Sequence, residues 1–463
     1  MPTSIENLSG GTKPLPTAPT IAARIHSMDQ FRGYIVAAMF AVNYGIFHEF
    51  SAFAHNNSHA SFADLIMPGF IFAAGFSLRL TALRRHPDVG FLRMSAGYLR
   101  RSFLLILIVL VMEGFGSLPS WQGFGERPKR HVPSAAGERE LDPTAVEEVA
   151  ATDDDEQSLL PRYFGMNRLY WGLGKFRRTL CEVLGIIALT QIVVLPVILA
   201  RSRTRILAMA VFGLAHVLMT YWFNWDFFHG RPNVVDELLH LKPRRCYDGG
   251  FFGNVSWAVV MLAGSLAYDI VANSPSLVRA SARLLGWGTL LMCLGYAASI
   301  PSRLYDLDES KEMDIEKQTE VLKATPVLPP FENAQGRAVR DWFPPLPVFQ
   351  SDDDWKYVKN YWTTGKYVVT LPFVLFSSGF SLAVYAMFVL ITDRFGFRIG
   401  LLRTLGTNAL AAYVIHSFVL GSMEGLSRTP SPYWYQLLHF YLYFAVVYLF
   451  VRTLERRKIY IRL

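Results

Sequence analysis

A short polar stretch, HNNSH at 55–59, separates two strongly apolar segments of the chain. Asn43 lies near the end of the preceding segment, and Asp64 lies at the start of the following one. Both segments are long enough to cross a membrane, so His55 and His59 are expected where membrane meets water. Histidine titrates near neutral pH and transfers protons, and polar groups at membrane depth are costly and tend to be functional. We therefore expect proton-transfer chemistry at this stretch.

Each of these side chains also has a purely structural interpretation. His55 can hydrogen-bond a loop carbonyl group. His59 follows four residues later and would share a helical face with His55 in a helix, so either histidine is a candidate for the chemistry. The pair supplies only two metal ligands, which make a poor site, so no metal is expected. Asp64 either orients an imidazole, as the carboxylate of a catalytic triad does, or caps the following helix.

The composition is that of a membrane protein. Of the 463 residues, 52% are hydrophobic and 18% are charged, whereas soluble domains carry about 25% charged residues. The mean hydropathy is +0.25. Apolar segments near the length that spans about 30 Å of hydrocarbon recur along the chain. They predict an all-α, polytopic bundle of about ten transmembrane helices, at 31–47, 62–80, 102–118, 179–199, 206–222, 251–272, 284–300, 367–391, 400–420 and 435–451.

The remaining composition limits the class of protein. Residues 1–24 are rich in Pro, Thr and Ser and lack the apolar core of a signal peptide, so we expect a disordered cytoplasmic tail before a transmembrane domain at 25–463. Cys181, Cys246 and Cys293 are too far apart in sequence to form a CxxC pair, and they predict no disulfide framework. The net charge of +8 comes from small basic groups beside the spans, which argues against nucleic-acid binding.

The distribution of arginine predicts the orientation. Every even-numbered loop and the C-terminal tail are basic and nearly free of acidic residues, which places them and both termini in the cytoplasm. The long loops at about 119–177 and 302–366 then form extracytoplasmic insertions, and the 55–59 stretch lies on the same outer side. The basic residues are Arg79, Arg84, Arg85, Arg93, Arg100, Arg101, Arg201, Arg203, Arg205, Arg279, Arg283, Arg394, Arg398, Arg452, Arg456, Arg457, Lys458 and Arg462.

Six motifs in order resemble the heparan-α-glucosaminide N-acetyltransferase-like family of polytopic membrane acyltransferases. The resemblance runs from about Arg24 to the last span. Two departures are the Gly185-Ile186 pair, where the family has Gln-Arg, and the two long insertions, which have no recognised counterpart. The motifs are SMDQFRG at 27–33, VNYG at 42–45, the block at 55–75 with ADLIMP at 63–68, YDGG at 247–250 with Gly253, the segment at 361–379, and GTN at 406–408 with Tyr413 and His416.

The resemblance implies a transmembrane acetyltransferase that takes acetyl-CoA from the cytoplasmic face and acetylates a sugar amine or hydroxyl on the far side. His55 and Asn43 match the catalytic pair. Acyl transfer needs a base and a donor for the developing oxyanion. His55 would take the acceptor's proton or carry the acetyl group itself. Asn43 would donate to the carbonyl oxygen, or make an interhelical hydrogen bond instead.

The CoA phosphates require a basic, cytoplasm-facing site. The candidates are Arg32, Arg79, Arg84 and Arg100, together with their neighbours Arg85 and Arg101, although topology alone also demands positive loops. Asp29 and Arg32 are three residues apart and can form an ion pair at the helix start instead. Asn408 and His416 are eight residues apart in the ninth span, hence on one helical face. They either line a path for the pantetheine arm or form a structural network.

Two other classes of protein compete with an enzyme. A transporter or channel for a small polar solute would show internal repeats and helices broken at matching positions, and no such repeat is evident. A receptor or scaffold would not need polar residues within its spans. The expected partners are acetyl-CoA, a glycan or amino-sugar acceptor and the lipid bilayer, and a homodimer is allowed. The Arg-rich, Lys-poor composition favours a bacterial inner membrane.

Overall fold

The computed structural model describes residues 25–44, 47, 51–55, 59–116, 180–239, 243, 245–305, 326–335, 337–348, 360–426 and 432–461. The predicted tail at 1–24, the insertion at 119–177 and about half of the insertion at 302–366 lie outside these residues. Regular secondary structure in the described part is entirely helical. The α-helices are α1 His26–Val42, α2 Ile66–Gly116, α3 Val183–Val194, α4 Ser202–Met219, α5 Trp225–His229, α6 Val234–Leu238, α7 Gly253–Asn273, α8 Leu277–Ser299, α9 Leu371–Phe388, α10 Gly400–Thr407, α11 Ala409–Leu426 and α12 Tyr433–Arg456.

Six helical segments in the described part are long and apolar enough to cross a membrane. This confirms the all-helical class and fits an integral membrane protein. The number of ten spans and the position of the termini stay predictions. The six segments are Ala63–Met112, Ser202–His229, Gly253–Asn273, Leu277–Tyr305, Leu371–Arg394 and Tyr433–Arg456, and shorter apolar helices occupy Val183–Val197 and Ala409–Met423.

The helix α2 contains the second and third predicted spans in one element. Gly90 interrupts its helical backbone with φ 73° and ψ 170°, a left-handed conformation that glycine adopts at low cost. Pro87 precedes it and removes one backbone donor from the same turn. The arginines predicted between spans two and three therefore flank a break between two helical arms, one before and one after Gly90.

The ninth predicted span, 400–420, is wrong as a continuous helix. The chain leaves helical geometry at Asn408, with φ −126° and ψ 44°, and so divides into α10 and α11. The Asn408 side chain instead bonds the C-terminal segment: its Nδ2 donates to the Ile459 carbonyl at 3.1 Å, and its Oδ1 accepts from Ile461 N–H at 3.1 Å. The break between α10 and α11 thus coincides with the point where the C-terminal segment is bound.

The packing of α2 against α7 depends on two glycines. A Cβ atom on Gly75 would overlap the Met261 carbonyl oxygen, and one on Gly264 would overlap the Phe72 carbonyl oxygen. Small residues let two apolar helices approach closely enough for extensive van der Waals contact. Because the two helices approach so closely, the first arm of α2, before Gly90, lies along α7.

An aromatic core joins α1, α2 and α9 beside this contact. Phe31, Phe72, Phe76 and Tyr385 are almost fully buried. Their rings make edge-to-face pairs, such as Phe31 with Phe72 at 5.6 Å and Phe76 with Tyr385 at 5.4 Å between centroids. This geometry is favoured by the ring quadrupoles, so the core holds the first arm of α2 in a defined position.

Replacing Gly264 by Ala is expected to destabilise the protein by about 1–3 kcal/mol, since overpacking forces a backbone shift. Unfolding in detergent, followed against temperature or denaturant, measures the change. The matched control is Gly286→Ala in α8, where nothing lies within 4 Å of an added Cβ, and alanine should be neutral or stabilising there. Equal effects of the two variants would contradict the role given to the α2–α7 contact.

Candidate functional site

A large cavity runs along the first arm of α2. Its volume is about 840 Å³, within the range of ligand pockets. On α2 the lining extends from Phe70 to Arg85, a distance of about 22 Å at the rise of an α-helix. The start of α1, the second arm of α2, the start of α3 and the α10–α11 break form the other walls, and Ile461 of the C-terminal segment also lines it.

Arginines dominate one end of this cavity, which we call the basic end. Five of them line it, against one carboxylate among the lining residues, that of Asp29. Such a surface attracts a polyanion, and guanidinium groups bind phosphates with charge-assisted hydrogen bonds. The five are Arg32, Arg84, Arg85, Arg100 and Arg101.

Hydrogen bonds shape the polar wall next to these arginines. Arg32 bonds the hydroxyl of Ser77 and lies 3.5 Å from Asp29 Oδ1. Arg32 thus forms the predicted ion pair with Asp29 and lines the cavity as well. The hydroxyls of Thr81 and Tyr98 are 2.6 Å apart and join the two arms of α2. The buried Nε of Arg101 has no hydrogen-bond partner among the described residues. Because buried donors are normally satisfied, Arg101 fits a wall that receives an anionic ligand.

Of the arginines predicted to bind the cofactor, Arg32, Arg84 and Arg100 line the cavity, whereas Arg79 is not among its described lining residues. Arg79 is buried and holds Asp269 of α7 through Nε at 3.0 Å and Nη2 at 3.3 Å. Its Nη1 donates to the Ile198 carbonyl at 2.6 Å. Arg205, which is fully buried, bonds the same carboxylate and donates to Ser265 at 2.7 Å. Arg79 therefore joins α2 to α7 through Asp269.

Aromatic rings line the opposite end of the cavity, which we call the deep end. Phe70 and Tyr413 line it, with their ring centroids 6.2 Å apart. Asn43, His55 and Asp64 are not among the described lining residues. The described lining therefore includes Tyr413, which bonds His416 through its carbonyl, but none of the three predicted catalytic residues.

Asn43 and His416 meet just beyond Tyr413. Asn43 Nδ2 lies 3.4 Å from His416 Nε2, and His416 Nδ1 bonds the Tyr413 carbonyl. Because that carbonyl only accepts, Nδ1 is assigned the proton and Nε2 accepts from the Asn43 amide. His416 is buried and stacks on Phe40 at 5.7 Å between centroids. The sequence placed Asn43 in catalysis and His416 in cofactor binding, and the fold brings the two together.

Asp64 organises the second polar group. His55 Nδ1 lies 2.8 Å from Asp64 Oδ1, while Asp64 Oδ2 accepts from Ser61 N–H at 3.1 Å and from the Ser61 hydroxyl at 3.0 Å. Asp64 N–H donates back to Ser61 Oγ at 3.3 Å, which is a capping-box arrangement. Asp64 thus bonds both the turn that leads into α2 and the His55 imidazole. Its part in catalysis stays a prediction.

His55 and His59 differ in position. The side chain of His55 is 49% exposed, and with Nδ1–H donated to Asp64 its Nε2 lone pair remains for a proton or an acyl group. His59 is buried. The described residues of this stretch are not helical, so the two imidazoles do not share a helical face. The geometry favours His55 as the reactive imidazole.

Lys366 was missed by the sequence analysis because it lies within a predicted outer insertion. Its Nζ is 3.2 Å from Asp248 Oδ1, and only 14% of its side chain is exposed. Burial lowers the pKa of Lys366, but the charges of Asp248, Asp64 and Glu182 outweigh it, so the pKa is raised and the ammonium stays protonated. Lys366 is distant from the 247–250 motif in sequence, so the spacing along the chain does not indicate that the two are close in the fold.

Asn408, the remaining predicted residue, is buried and bonds the C-terminal segment, while its neighbours Thr407 and Ala409 line the cavity. A direct contact of Asn408 with a cofactor stays a prediction. Among the described residues no three His, Cys, Asp or Glu side chains are grouped so as to hold a metal ion.

Comparison with models of known protein families and with curated proteins gives no match for this chain.

Replacing Asp269 by Asn is expected to destabilise the protein by about 3–5 kcal/mol, because Arg79 and Arg205 would be left as buried, uncompensated charges. Denaturant unfolding measures the loss. The control is Asp226→Asn, whose pair with Arg231 spans 4.0 Å with both side chains 48% exposed and should contribute at most about 1 kcal/mol. A small effect at Asp269 would refute its role in neutralising the two arginines.

Proposed function

We propose that the protein is a transmembrane acetyltransferase, which moves an acetyl group from cytoplasmic acetyl-CoA to an amine or hydroxyl of a sugar or glycan on the other side of the membrane. The observation that carries the proposal is the cavity itself. It has five arginines at one end, and its other end lies next to the Asn43–His416 pair through Tyr413. The ordered motifs that resemble the membrane acyltransferase family support the same conclusion.

The shape and charge of the cavity suit this donor. The phosphates of the nucleotide half would bind Arg32, Arg84, Arg85, Arg100 and Arg101. The uncharged arm that carries the thioester would follow α2 toward Phe70 and Tyr413. A donor bound in this way places its reactive carbonyl at the deep end, so the rings of Phe70 and Tyr413 must move apart for the acetyl group to reach the other side.

Asn43 and His55 supply the groups that acyl transfer needs. One N–H of the Asn43 amide is directed to His416, and the second N–H can donate to the carbonyl oxygen as negative charge develops there. His55 Nε2 would take the proton of the acceptor amine or hydroxyl while that nucleophile attacks the carbonyl carbon. The carbon–sulfur bond then breaks and the thiolate of CoA takes up a proton. In the alternative route His55 Nε2 attacks first and carries the acetyl group to the acceptor.

Asp64 acts through His55 in either route. Its Oδ1 fixes the proton on Nδ1, so that Nε2 faces the reaction. Three hydrogen bonds, two from Ser61 and one from His55, hold the carboxylate in place. The reactive imidazole therefore has a defined tautomer and direction even though it is half exposed.

The first test is the release of CoA from acetyl-CoA by the detergent-purified protein with a panel of amino sugars. His55→Ala is expected to lose turnover by at least about 100-fold while it still binds CoA. His59→Ala is the matched control and should retain turnover. Binding of CoA by neither the wild type nor the variants at millimolar concentration would sink the enzyme proposal. It would leave the transporter or channel as the alternative, to be tested by solute flux in vesicles.

The second test concerns the basic end. Arg101→Ala is expected to weaken CoA binding about tenfold or more, because a charge-assisted hydrogen bond contributes about 1.5–3 kcal/mol. Wild-type affinity should also fall as salt is added. Binding is measured by calorimetry or thermal shift, with Arg279→Ala, an exposed arginine at the start of α8, as the control. Equal affinities of the two variants would show that the cavity arginines do not bind CoA.

A further inference from the structure

The C-terminal segment, 457–461, leaves α12 through a tight turn at Lys458. Lys458 N–H donates to the Glu455 carbonyl at 2.9 Å, and Ile459 N–H donates to the Leu454 carbonyl at 2.9 Å. These two bonds are those of the Schellman motif, which ends a helix with one left-handed residue. Here that residue is Lys458, with φ 57°, where glycine is usual. A residue with a side chain persists in this conformation only where surrounding contacts impose it, so the direction of the segment is fixed.

Asn408 binds the segment at the break between α10 and α11. Its Nδ2 donates to the Ile459 carbonyl, and its Oδ1 accepts from Ile461 N–H, both at 3.1 Å. Asn408 is buried, and a buried amide that lost these partners would keep unsatisfied polar atoms at a cost in free energy. The two bonds therefore hold the segment against the break at two points.

The segment brings one apolar side chain to the cavity. Ile461 lines the cavity and is 43% exposed, whereas Ile459 is 46% exposed but is not among the described lining residues. An apolar side chain on a cavity wall stabilises a bound molecule that covers it. The two isoleucines are thus alike in exposure and differ in whether they face the cavity.

This part of the wall adjoins the basic end. A Cβ atom on Gly406, in the last turn of α10, would overlap the Asp29 carbonyl oxygen. Asp29 in turn lies 3.5 Å from Arg32. Ile461 and the arginines of the basic end thus line neighbouring parts of one cavity.

A separate contact joins α12 to α10. Glu455 accepts from Thr404 Oγ1 at 2.6 Å and from Arg403 Nη2 at 3.2 Å, and neither bond involves the segment. Release of the segment from Asn408 therefore leaves this contact between the helices intact, so the segment can be tested separately from the bundle.

We propose that the C-terminal segment is a wall of the donor site: Ile461 covers the uncharged part of the bound ligand, and Asn408 is the positioning residue that holds Ile461 there. This inference rests on the proposed function for the identity of the ligand, a CoA thioester, but its effect is on binding and needs no turnover. Because the wall covers a ligand that is already bound, its loss changes dissociation more than association. By linkage, a bound ligand stabilises the docked segment in return.

The test measures the association and dissociation rates of CoA, by stopped-flow displacement of a fluorescent CoA derivative from the detergent-purified protein. Ile461→Ala is expected to raise the dissociation rate about threefold to tenfold, because apolar contact with the ligand is lost. Its association rate should stay within about twofold of wild type. Ile459→Ala is the matched control and should leave both rates unchanged. Asn408→Ala should raise the dissociation rate at least as much as Ile461→Ala, and Ile461→Val should raise it less.

Hydrogen exchange of the peptide that contains Ile461, followed by mass spectrometry, reads the docking of the segment itself. Exchange should be faster in Asn408→Ala than in wild type, because the acceptor of Ile461 N–H is removed, and CoA should slow exchange in wild type. A merely structural role of Asn408 would lower the fraction of protein that binds CoA and leave the dissociation rate of that fraction unchanged. If Asn408→Ala does not fold, the comparison of Ile461→Ala with Ile459→Ala decides the outcome.

Binding and turnover together separate this inference from the proposed function. Equal dissociation rates of Ile461→Ala and Ile459→Ala, with a wild type that binds CoA, overturn the inference and leave the enzyme proposal standing. The expected rates in a protein that does not transfer acetyl groups would uphold the wall and reject the enzyme. A wild type that does not bind CoA rejects both.

Discussion

A charged side chain within an apolar helical bundle requires either a partner of opposite charge or access to water, and this constraint sorts the arginines of the molecule. Arg79 and Arg205 are buried and share Asp269, so they join α2 and α4 to α7. Five others surround an open cavity, where water or an anion can solvate them. Arginine side chains thus stabilise the bundle around Asp269 and form a positively charged surface at the cavity.

The break at Asn408 connects the fold to this surface. An asparagine that continued the helix would have to leave its polar side chain in apolar surroundings, whereas here both of its side-chain polar groups bond the C-terminal segment. The broken helix places Thr407 and Ala409 on the cavity wall, and the bound segment brings Ile461 to the same wall. A hydrogen bond far from any reactive group therefore shapes the cavity.

The two polar groups at the deep side have different environments. The Asn43–His416 pair is largely enclosed, with His416 stacked on Phe40. In the His55–Asp64 pair the imidazole is half exposed, whereas the carboxylate is buried. An amide donor thus lies next to the cavity, whereas the imidazole of His55 is accessible from solvent. The rings of Phe70 and Tyr413 line the cavity on the side of the Asn43–His416 pair.

The sequence by itself determined the all-helical class and the membrane environment, because apolar segments of spanning length have few other stable structures. It also identified His55 and Asp64, which are close along the chain and joined by local hydrogen bonds. Only the tertiary structure decided which arginines face the cavity, since Arg79 and Arg84 lie on different faces of α2 and the sequence does not say which face meets Asp269 and which the cavity. The Asn43–His416 pair and the bond of Ala60 to Thr364 likewise depend on contacts across more than 300 residues, for which spacing along a single sequence carries no information.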